Sequence, residues 1–272
     1  MAKKLGKILM ILYLGFITVL SLFPFYMVII MSTYYTNDLY KGLPLLPSNY
    51  FFENLKTIMS TNFIQVYANS VFVSLMATVI CCATSSLIGF SLAKYSFKGR
   101  NILQAFVLAT MMIPTQVALI GYVLEMKSFH LVNTLWPLIF AYAASPFCAF
   151  FMTQFIKSSV PDEIMESARI DGCSEPAIYA RIILPLIKPG ITTVAILIFL
   201  WSWNNYLLPL VSVSDNTKYT IPLLISTLSS QFTTDFAAQM TAVGFAIIPV
   251  IILFILGSKT FIEGLTAGAV KG

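Results

Sequence analysis

Charged side chains are scarce in this 272-residue sequence: Lys and Arg number 16 and Asp and Glu 11, together 10% of the chain. A soluble globular domain carries about 25%. With 58% apolar residues and a mean hydropathy of +0.86, the polar surface is too small to cover a water-soluble particle. Histidine occurs once and cysteine four times. Cys81 and Cys82 are adjacent in one apolar run, Cys148 lies in another, and Cys173 falls in a polar segment. That pattern offers neither a disulfide framework nor metal-ligand spacing, and the four read as small packing residues. No G-x-x-x-x-G-K-[ST] phosphate loop occurs, so the chain does not itself cradle a nucleotide.

What the sequence does have is long stretches without any charge. Six such runs stand between consecutive ionised residues: 8–37, 57–93, 101–124, 128–156, 189–214 and 236–258. Each is long enough for the roughly 20 helical residues that cross about 30 Å of hydrocarbon. Lipid admits helices or closed barrels only, and these unbroken runs lack the short alternating strands of a barrel. The expectation is an all-α integral membrane protein with spans near 8–32, 68–93, 102–124, 133–156, 189–211 and 239–258, forming a single domain over 1–272. Because no Asp, Glu, Lys or Arg falls inside these spans, proton-coupled carriers and voltage sensors are excluded. No internal repeat of the kind many secondary transporters show is visible. A membrane-embedded enzyme would need catalytic or metal-binding groups in the spans, and an ion channel a polar ring; neither is found.

The net charge of +5 is distributed as membrane topology dictates rather than as a nucleic-acid surface. With the N-terminus cytoplasmic, 12 Lys and Arg lie inside and four outside (Lys41, Lys56, Lys127 and Lys218). This obeys the positive-inside rule and puts both termini in the cytoplasm. Lys3, Lys4 and Lys7 before an apolar run resemble a signal peptide, but the run is too long and lacks a cleavage site, so it reads as a retained span.

The 27 charges are not spread evenly: nine fall in the cytoplasmic segment 157–188. Two short helices are legible there over 160–184. Pro161 suits a first turn, with Asp162 and Glu163 at the positive end of the helix dipole. Ile164 and Ala168 share a face, and Asp171-Gly172 stops the helix. Ser174 is a plausible N-cap for a second helix with Glu175 and Pro176 in its first turn. Ile178, Tyr179, Ile182 and Ile183 give that helix an apolar stripe until Leu184-Pro185 ends it. A compact helix-turn-helix with an apolar face outside the lipid suits a partner's groove.

This segment resembles the cytoplasmic signature of binding-protein-dependent ABC importer permeases, E-A-A-x3-G-x9-I-x-L-P. The chain has Glu166-Ser167-Ala168, three residues, Gly172, nine residues, then Ile182-Ile183-Leu184-Pro185, with Ser167 the one departure. Ser91-Leu92-Ala93-Lys94-Tyr95 with Phe97-Lys98-Gly99-Arg100, Trp203-Asn204 with Pro209-Leu210, and the ending Gly264-Leu265-Thr266-Ala267-Gly268 to Lys271-Gly272 are similar to the smaller, six-span permease of maltose-type carbohydrate importers.

The resemblance implies that Glu166, Ser167, Ala168, Asp171, Gly172, Ile182, Leu184 and Pro185 belong to a coupling helix seated in a cytoplasmic ATPase. It implies two copies of that ATPase, which would hold ATP and Mg, no cofactor in this chain, a second homologous permease, and an extracytoplasmic solute-binding protein. The location would be the bacterial cytoplasmic (inner) membrane, in contact with lipid. The cargo would be an oligosaccharide, with glycerol phosphate or a glycosaminoglycan fragment as the alternative within transport and a non-ABC channel as the alternative outside it.

Trp203, Asn204, Asn205 and Tyr206, with Trp201, lie in the outer half of the fifth span and form a candidate translocation pathway. Rings stack on sugar C–H faces and amides bond hydroxyls, but Trp and Tyr also form the interfacial belt of any membrane protein. Pro114, Pro137, Pro146, Pro209 and Pro249 mark sites where spans would kink. His130 reads as an interfacial side chain. The outer loop 212–238 would, by the resemblance, meet the binding protein, and the C-terminal tail would meet the ATPases.

Overall fold

The computed structural model describes residues 2–228 and 235–269, with side chains described for Lys4, 6–228 and 235–260. Part of the expected outer loop (229–234) and the ending Lys271-Gly272 lie outside the described residues, and the motif from Gly264 to Gly268 is described in backbone only. The principal helices are α1 (Ala2–Met31), α2 (Phe51–Met59), α3 (Phe63–Lys94), α4 (Arg100–Met111), α5 (Thr115–Ser128), α6 (Trp136–Ala143) and α7 (Pro146–Ser159). There follow α8 (Asp162–Ile170), α9 (Glu175–Leu186), α10 (Lys188–Trp203), α11 (Leu207–Ser212), α12 (Ile221–Thr227) and α13 (Phe236–Ala269). Described residues contain no strand.

Four stretches are each long and apolar enough to cross a bilayer: Gly6–Met31, Phe63–Lys94, Trp136–Ser159 and Phe236–Thr260. Two bent pairs, α4 with α5 and α9 with α10, bring the number to six when each pair counts as one span. The all-α, six-span class is therefore the observed one, but the third and fifth spans, expected over 102–124 and 189–211 with kinks at their prolines, are broken rather than merely kinked. α4 and α5 meet at 104° across Met112–Pro114. Pro114 lacks an N–H and bars helical geometry at Ile113, so the ladder cannot continue through it. α10 stops at Trp203, and three residues intervene before α11.

Prolines open helices here more than they bend them. Pro137 and Pro146 sit in the first turns of α6 and α7, whereas Pro24 and Pro249 are carried inside α1 and α13. The break between α6 and α7 is satisfied locally. Thr84 Oγ1 on α3 donates to the Ala143 carbonyl at 2.5 Å, and Ser145 Oγ accepts from Cys148 N at 3.4 Å.

The described residues form two compact units. One lies within residues 1–64 and 223–249 and the other within 65–222 and 250–272. In the first, Ile8 to Phe23 of α1 leave apolar side chains exposed around the whole helix, the surface lipid covers. Asn54 on α2 holds the turn after α1 by donating to the Ser32 and Tyr34 carbonyls at 2.9 and 2.8 Å. Asp235 caps α13, its carboxylate accepting from Ala238 N at 3.0 Å and from Thr36 Oγ1 at 2.5 Å.

The second unit carries the larger core. Cys81, Cys148, Met152, Ile156, Ile178, Ile183, Ile187 and Ile198 are all fully buried within one cluster that draws on α3, α7, α9 and α10. Two of the four cysteines thus pack as core residues, while Cys173 is exposed. Helices approach closely where a glycine permits it. A Cβ on Gly89 of α3 would stand 2.7 Å from Met152 Cβ and 2.8 Å from the Met152 carbonyl carbon on α7. Backbone cannot yield as a side-chain tip can, so Gly89 is a small-residue contact of the kind that joins membrane helices. Gly89→Ala is expected to destabilise the chain by about 1–3 kcal/mol through overpacking. Gly121→Ala, with nothing within 4 Å of its added carbon, should be neutral or stabilising. Thermal unfolding in detergent checks both, and an unchanged midpoint for Gly89→Ala would refute the contact.

Candidate functional site: the cytoplasmic segment and an outer cleft

The segment between α7 and α10 folds as two short helices, as its pattern predicts. α8 ends at Ile170 with Asp171 as its C-cap, and Gly172 adopts φ +77°, the left-handed conformation. Gly172 N donates to Arg169 O and Cys173 N to Ala168 O, both at 3.0 Å. This pair of bonds is a Schellman stop, which satisfies the last carbonyls and leaves a sharp exposed corner.

α9 differs from its expectation. Its middle, Tyr179–Ile183, is a π-helix, and the helix runs past Leu184-Pro185 to Leu186 before turning at Ile187. The wide turn supplies a bond from Leu184 N to Tyr179 O. It also puts Ile178 and Ile183, both fully buried, on one face. In a regular α-helix residues five apart would stand about 140° apart.

The signature residues divide by exposure. Glu166, Ser167, Asp171, Gly172, Leu184 and Pro185 are exposed, Ala168 is buried and Ile182 half-buried against the core. Ser167 Oγ, at the one position that departs from the signature, donates back to Glu163 O at 2.8 Å and costs the helix nothing in packing. The buried pair on α8 is Met165 with Ala168, rather than Ile164 with Ala168. Ile170 was not singled out by the sequence pattern, yet its side chain is 87% exposed beside the corner. The corner thus presents one large aliphatic group among polar residues.

The segment is tied to the end of α3. Lys94 Nζ, on a side chain only 5% exposed, donates to Val160 O and to Asp162 Oδ1, both at 2.5 Å. Arg169 Nε pairs with Glu175 Oε1 at 2.7 Å, and the Tyr95 hydroxyl donates to the other oxygen of Glu175. The Arg169 guanidinium lies 6.0 Å from the centre of the Tyr95 ring. Hydrogen bonding to Lys94 and its charge hold the Asp162 carboxyl below the usual carboxylate range. Hydrogen bonds from Arg169 and Tyr95 do the same for Glu175. Burial, then the neighbouring Glu175, push the Tyr95 hydroxyl up to about 12. Because both carboxyls are depressed, their ties are present above the ordinary carboxylate pKa and are lost only as pH falls through the lowered values.

A second feature lies within the same unit. A cleft of about 760 Å³ is lined by α5, α6, α10 and α11, with Thr115, Gln116, Tyr122, Tyr142, Trp201, Asn204, Asn205 and Tyr206 as its polar and aromatic walls. Three of the four residues expected to line a pathway are therefore together. Trp203 is the exception and is corrected to a core position: it is 2% exposed, stacked on Phe199 at 5.6 Å and edge-on to Tyr67 at 5.7 Å. Trp201, two residues earlier, projects from the opposite side of α10 and reaches the cleft. The apolar spacing Ile196, Phe199, Trp203 could have told them apart, since residues three, four and seven apart share a helix face.

Asn205 has a framework role in this geometry. Its amide donates to Tyr142 Oη at 2.7 Å, its carbonyl accepts from Leu208 N at 3.2 Å, and Tyr142 Oη donates to Trp201 O at 3.0 Å. Trp201 and Tyr206 keep 42% and 36% of their surface exposed, and Asn204 and Gln116 are exposed amides. His130 and Asn133 are both left-handed. Asn133 Oδ1 accepts from Ser214 N and Asp215 N at 3.0 and 2.9 Å, which pins the start of the outer loop beyond α11.

Residues 85–264 match the family described as "Binding-protein-dependent transport system inner membrane component". The arabinooligosaccharides transport system permease protein AraQ of Bacillus subtilis (strain 168) is 34% identical over 271 residues, 98% of this chain and 96% of AraQ. The trehalose/maltose transport system permease protein MalG of Thermococcus litoralis (strain ATCC 51850 / DSM 5473 / JCM 8560 / NS-C) is 30% identical, covering 99% of each chain. A chain in the crystal structure of a bacterial ABC transporter that imports the acidic polysaccharide alginate superposes with a TM-score of 0.81 at 22% identity, over 96% of this chain and 98% of that one, which shows a shared fold. By the family match and these relatives, the chain belongs to the binding-protein-dependent transport system inner membrane components: it is a multi-pass permease subunit of the cytoplasmic membrane, served by a separate ATPase and not itself an enzyme.

Proposed function

We propose that this permease imports a neutral oligosaccharide, as half of a pathway completed by a second, homologous permease. The observation that carries the reading is the exposed corner built by Glu166, Ile170, Asp171 and Gly172 on a segment rooted in the core of the larger unit. Two copies of a cytoplasmic ATPase, which bind ATP and Mg, would grip this corner and its counterpart on the second permease. Ser167 and Ala168 shape the helix beneath it, while Ile182, Leu184 and Pro185 set the turn into α10. An extracytoplasmic binding protein would deliver the solute to the outer side.

The cleft supports the solute class. Trp201 and Tyr206 offer ring faces suited to sugar C–H surfaces, and Gln116 and Asn204 offer amides suited to hydroxyls. Among the described lining residues there is no Lys or Arg. An anion brought there would lose water without gaining a counter-charge, which disfavours glycerol phosphate or a glycosaminoglycan fragment. Relatives named for arabinooligosaccharide and for trehalose/maltose transport agree with a neutral sugar.

The complex reconstituted in proteoliposomes tests this. The ATPase should copurify with the permease pair, and a binding protein loaded with arabinotriose or maltotriose should stimulate its hydrolysis, whereas an acidic alginate trisaccharide should not. Failure of both neutral sugars would overturn the reading. Gly172→Val forces a β-branched side chain into left-handed geometry, and Glu166→Lys reverses charge at the corner; each should lower sugar uptake about tenfold, the scale of a typical coupling free energy. Trp201→Ala should raise the sugar concentration for half-maximal uptake, while Gln116→Leu should do so for sugars with a free hydroxyl at the contact. Wild-type transport in Trp201→Ala would remove the cleft from the pathway.

A further inference from the structure

Three ties converge on two consecutive residues at the end of α3. Lys94 takes the Val160 carbonyl and the Asp162 carboxylate, at the start of α8. Tyr95 takes the Glu175 carboxylate, which in turn holds Arg169 at the far end of α8. Both ends of the exposed helix are thus fastened to one point, and that point ends a 32-residue helix. The same fastening continues inward. Phe90, one helical turn before Lys94, packs against the Tyr95 and Tyr179 rings at 5.3 and 5.4 Å, and Ser86 Oγ meets Tyr179 Oη at 2.7 Å.

We propose that Tyr95, Glu175 and Arg169, together with Lys94 and Asp162, form a brace that delivers displacement of the cytoplasmic corner to α3 as well as to α10, so that the two helices move together when the ATPases close. The proposal rests on the reading of the corner as the ATPase contact. Its physical basis is that two routes lead out of the segment. Along the chain, α9 joins α10 through a 75° turn at Ile187, which is buried in the core. Across space, α8 joins α3 through charge-assisted bonds held close to a buried core, which resist a change in separation. These residues position the segment and need touch neither nucleotide nor solute.

The brace predicts a specific pattern in the reconstituted complex, read as arabinotriose taken up per ATP hydrolysed. Arg169→Glu places two carboxylates together, and Glu175→Arg two guanidinium groups; each should lower the ratio about fivefold or more. The double exchange, Arg169→Glu with Glu175→Arg, restores an opposite pair and should recover the ratio to within about twofold. Tyr95→Phe deletes one hydroxyl while keeping the ring on Phe90, and should lower the ratio with a normal yield of assembled complex. That variant decides the matter if a charge reversal fails to assemble. A wild-type ratio in Tyr95→Phe and in both reversals, or a double exchange no better than its parts, would overturn the brace while leaving the import reading intact. If the wild-type complex shows no hydrolysis stimulated by sugar-loaded binding protein, the import reading fails and the brace falls with it.

Discussion

Hydrocarbon offers no partner to a bare N–H or C=O, and the rest of the structure follows from how the chain meets that demand. Within a straight helix every peptide group is satisfied by the ladder. Where the ladder is interrupted, a side chain can supply what the backbone has lost, and polar residues of the apolar runs do so at two of the interruptions here. Thr84 covers the Ala143 carbonyl at the gap before Pro146, and Asn205 caps α11 after the break that follows Trp203. Asn133 collects two amides at the loop beyond α11. Few polar side chains are available in a sequence this apolar, so their positions determine where breaks are tolerated.

The same constraint explains why α10 breaks where the cleft lies. A continuous helix over 189–211 would have turned successive side chains evenly around its axis. Ending α10 at Trp203 lets Asn204, Asn205 and Tyr206 leave the helical spiral and stand beside Trp201 on one wall. The bond from Asn205 to Tyr142 then fixes that wall to α6. The break itself is what concentrates polar and aromatic groups at one depth.

Much of this was legible in the residues. The uncharged runs show the spans, because charge in hydrocarbon is costly enough to leave a visible gap. The cytoplasmic corner is legible because Asp171-Gly172 states a left-handed stop and because the surrounding charges keep it out of lipid. The breaks at Pro114 and after Trp203 were not legible as breaks, since a proline or an asparagine inside an apolar run is compatible with a kinked helix when neighbours can compensate. Trp203 was misplaced for a related reason: residue type suggested a sugar-facing ring, while its position relative to Phe199 and Ile196 puts it on the buried stripe. The π turn in α9 has no local composition signal, because it is set by packing of Ile178 and Ile183 and by Pro185 downstream. The ties from Lys94 and Tyr95 join residues 66 or more apart along the chain, and nothing in either neighbourhood announces the other.

A permease whose expected spans hold no ionisable group draws no work from a proton or sodium gradient through its own side chains, so its conformational bias must arrive mechanically from the nucleotide-binding partner. A ligand shifts a two-state equilibrium only by its differential affinity for the two states, and ATP binds to a different chain. On the proposed reading, the free energy crosses a contact surface and then the short polar segment before reaching the helices of the larger unit. A compliant segment would dissipate it as local motion. The observed one is exposed at its corner, through Glu166, Ile170, Asp171 and Gly172, and is buried at its root through Met165, Ala168, Ile178 and Ile183. Aliphatic packing resists compression, and the ion pairs at Lys94 and Glu175 resist separation, so the root can transmit both a push and a pull. Nine charges in one connector would be hard to explain in a protein that otherwise avoids them, unless several serve to hold that connector stiff.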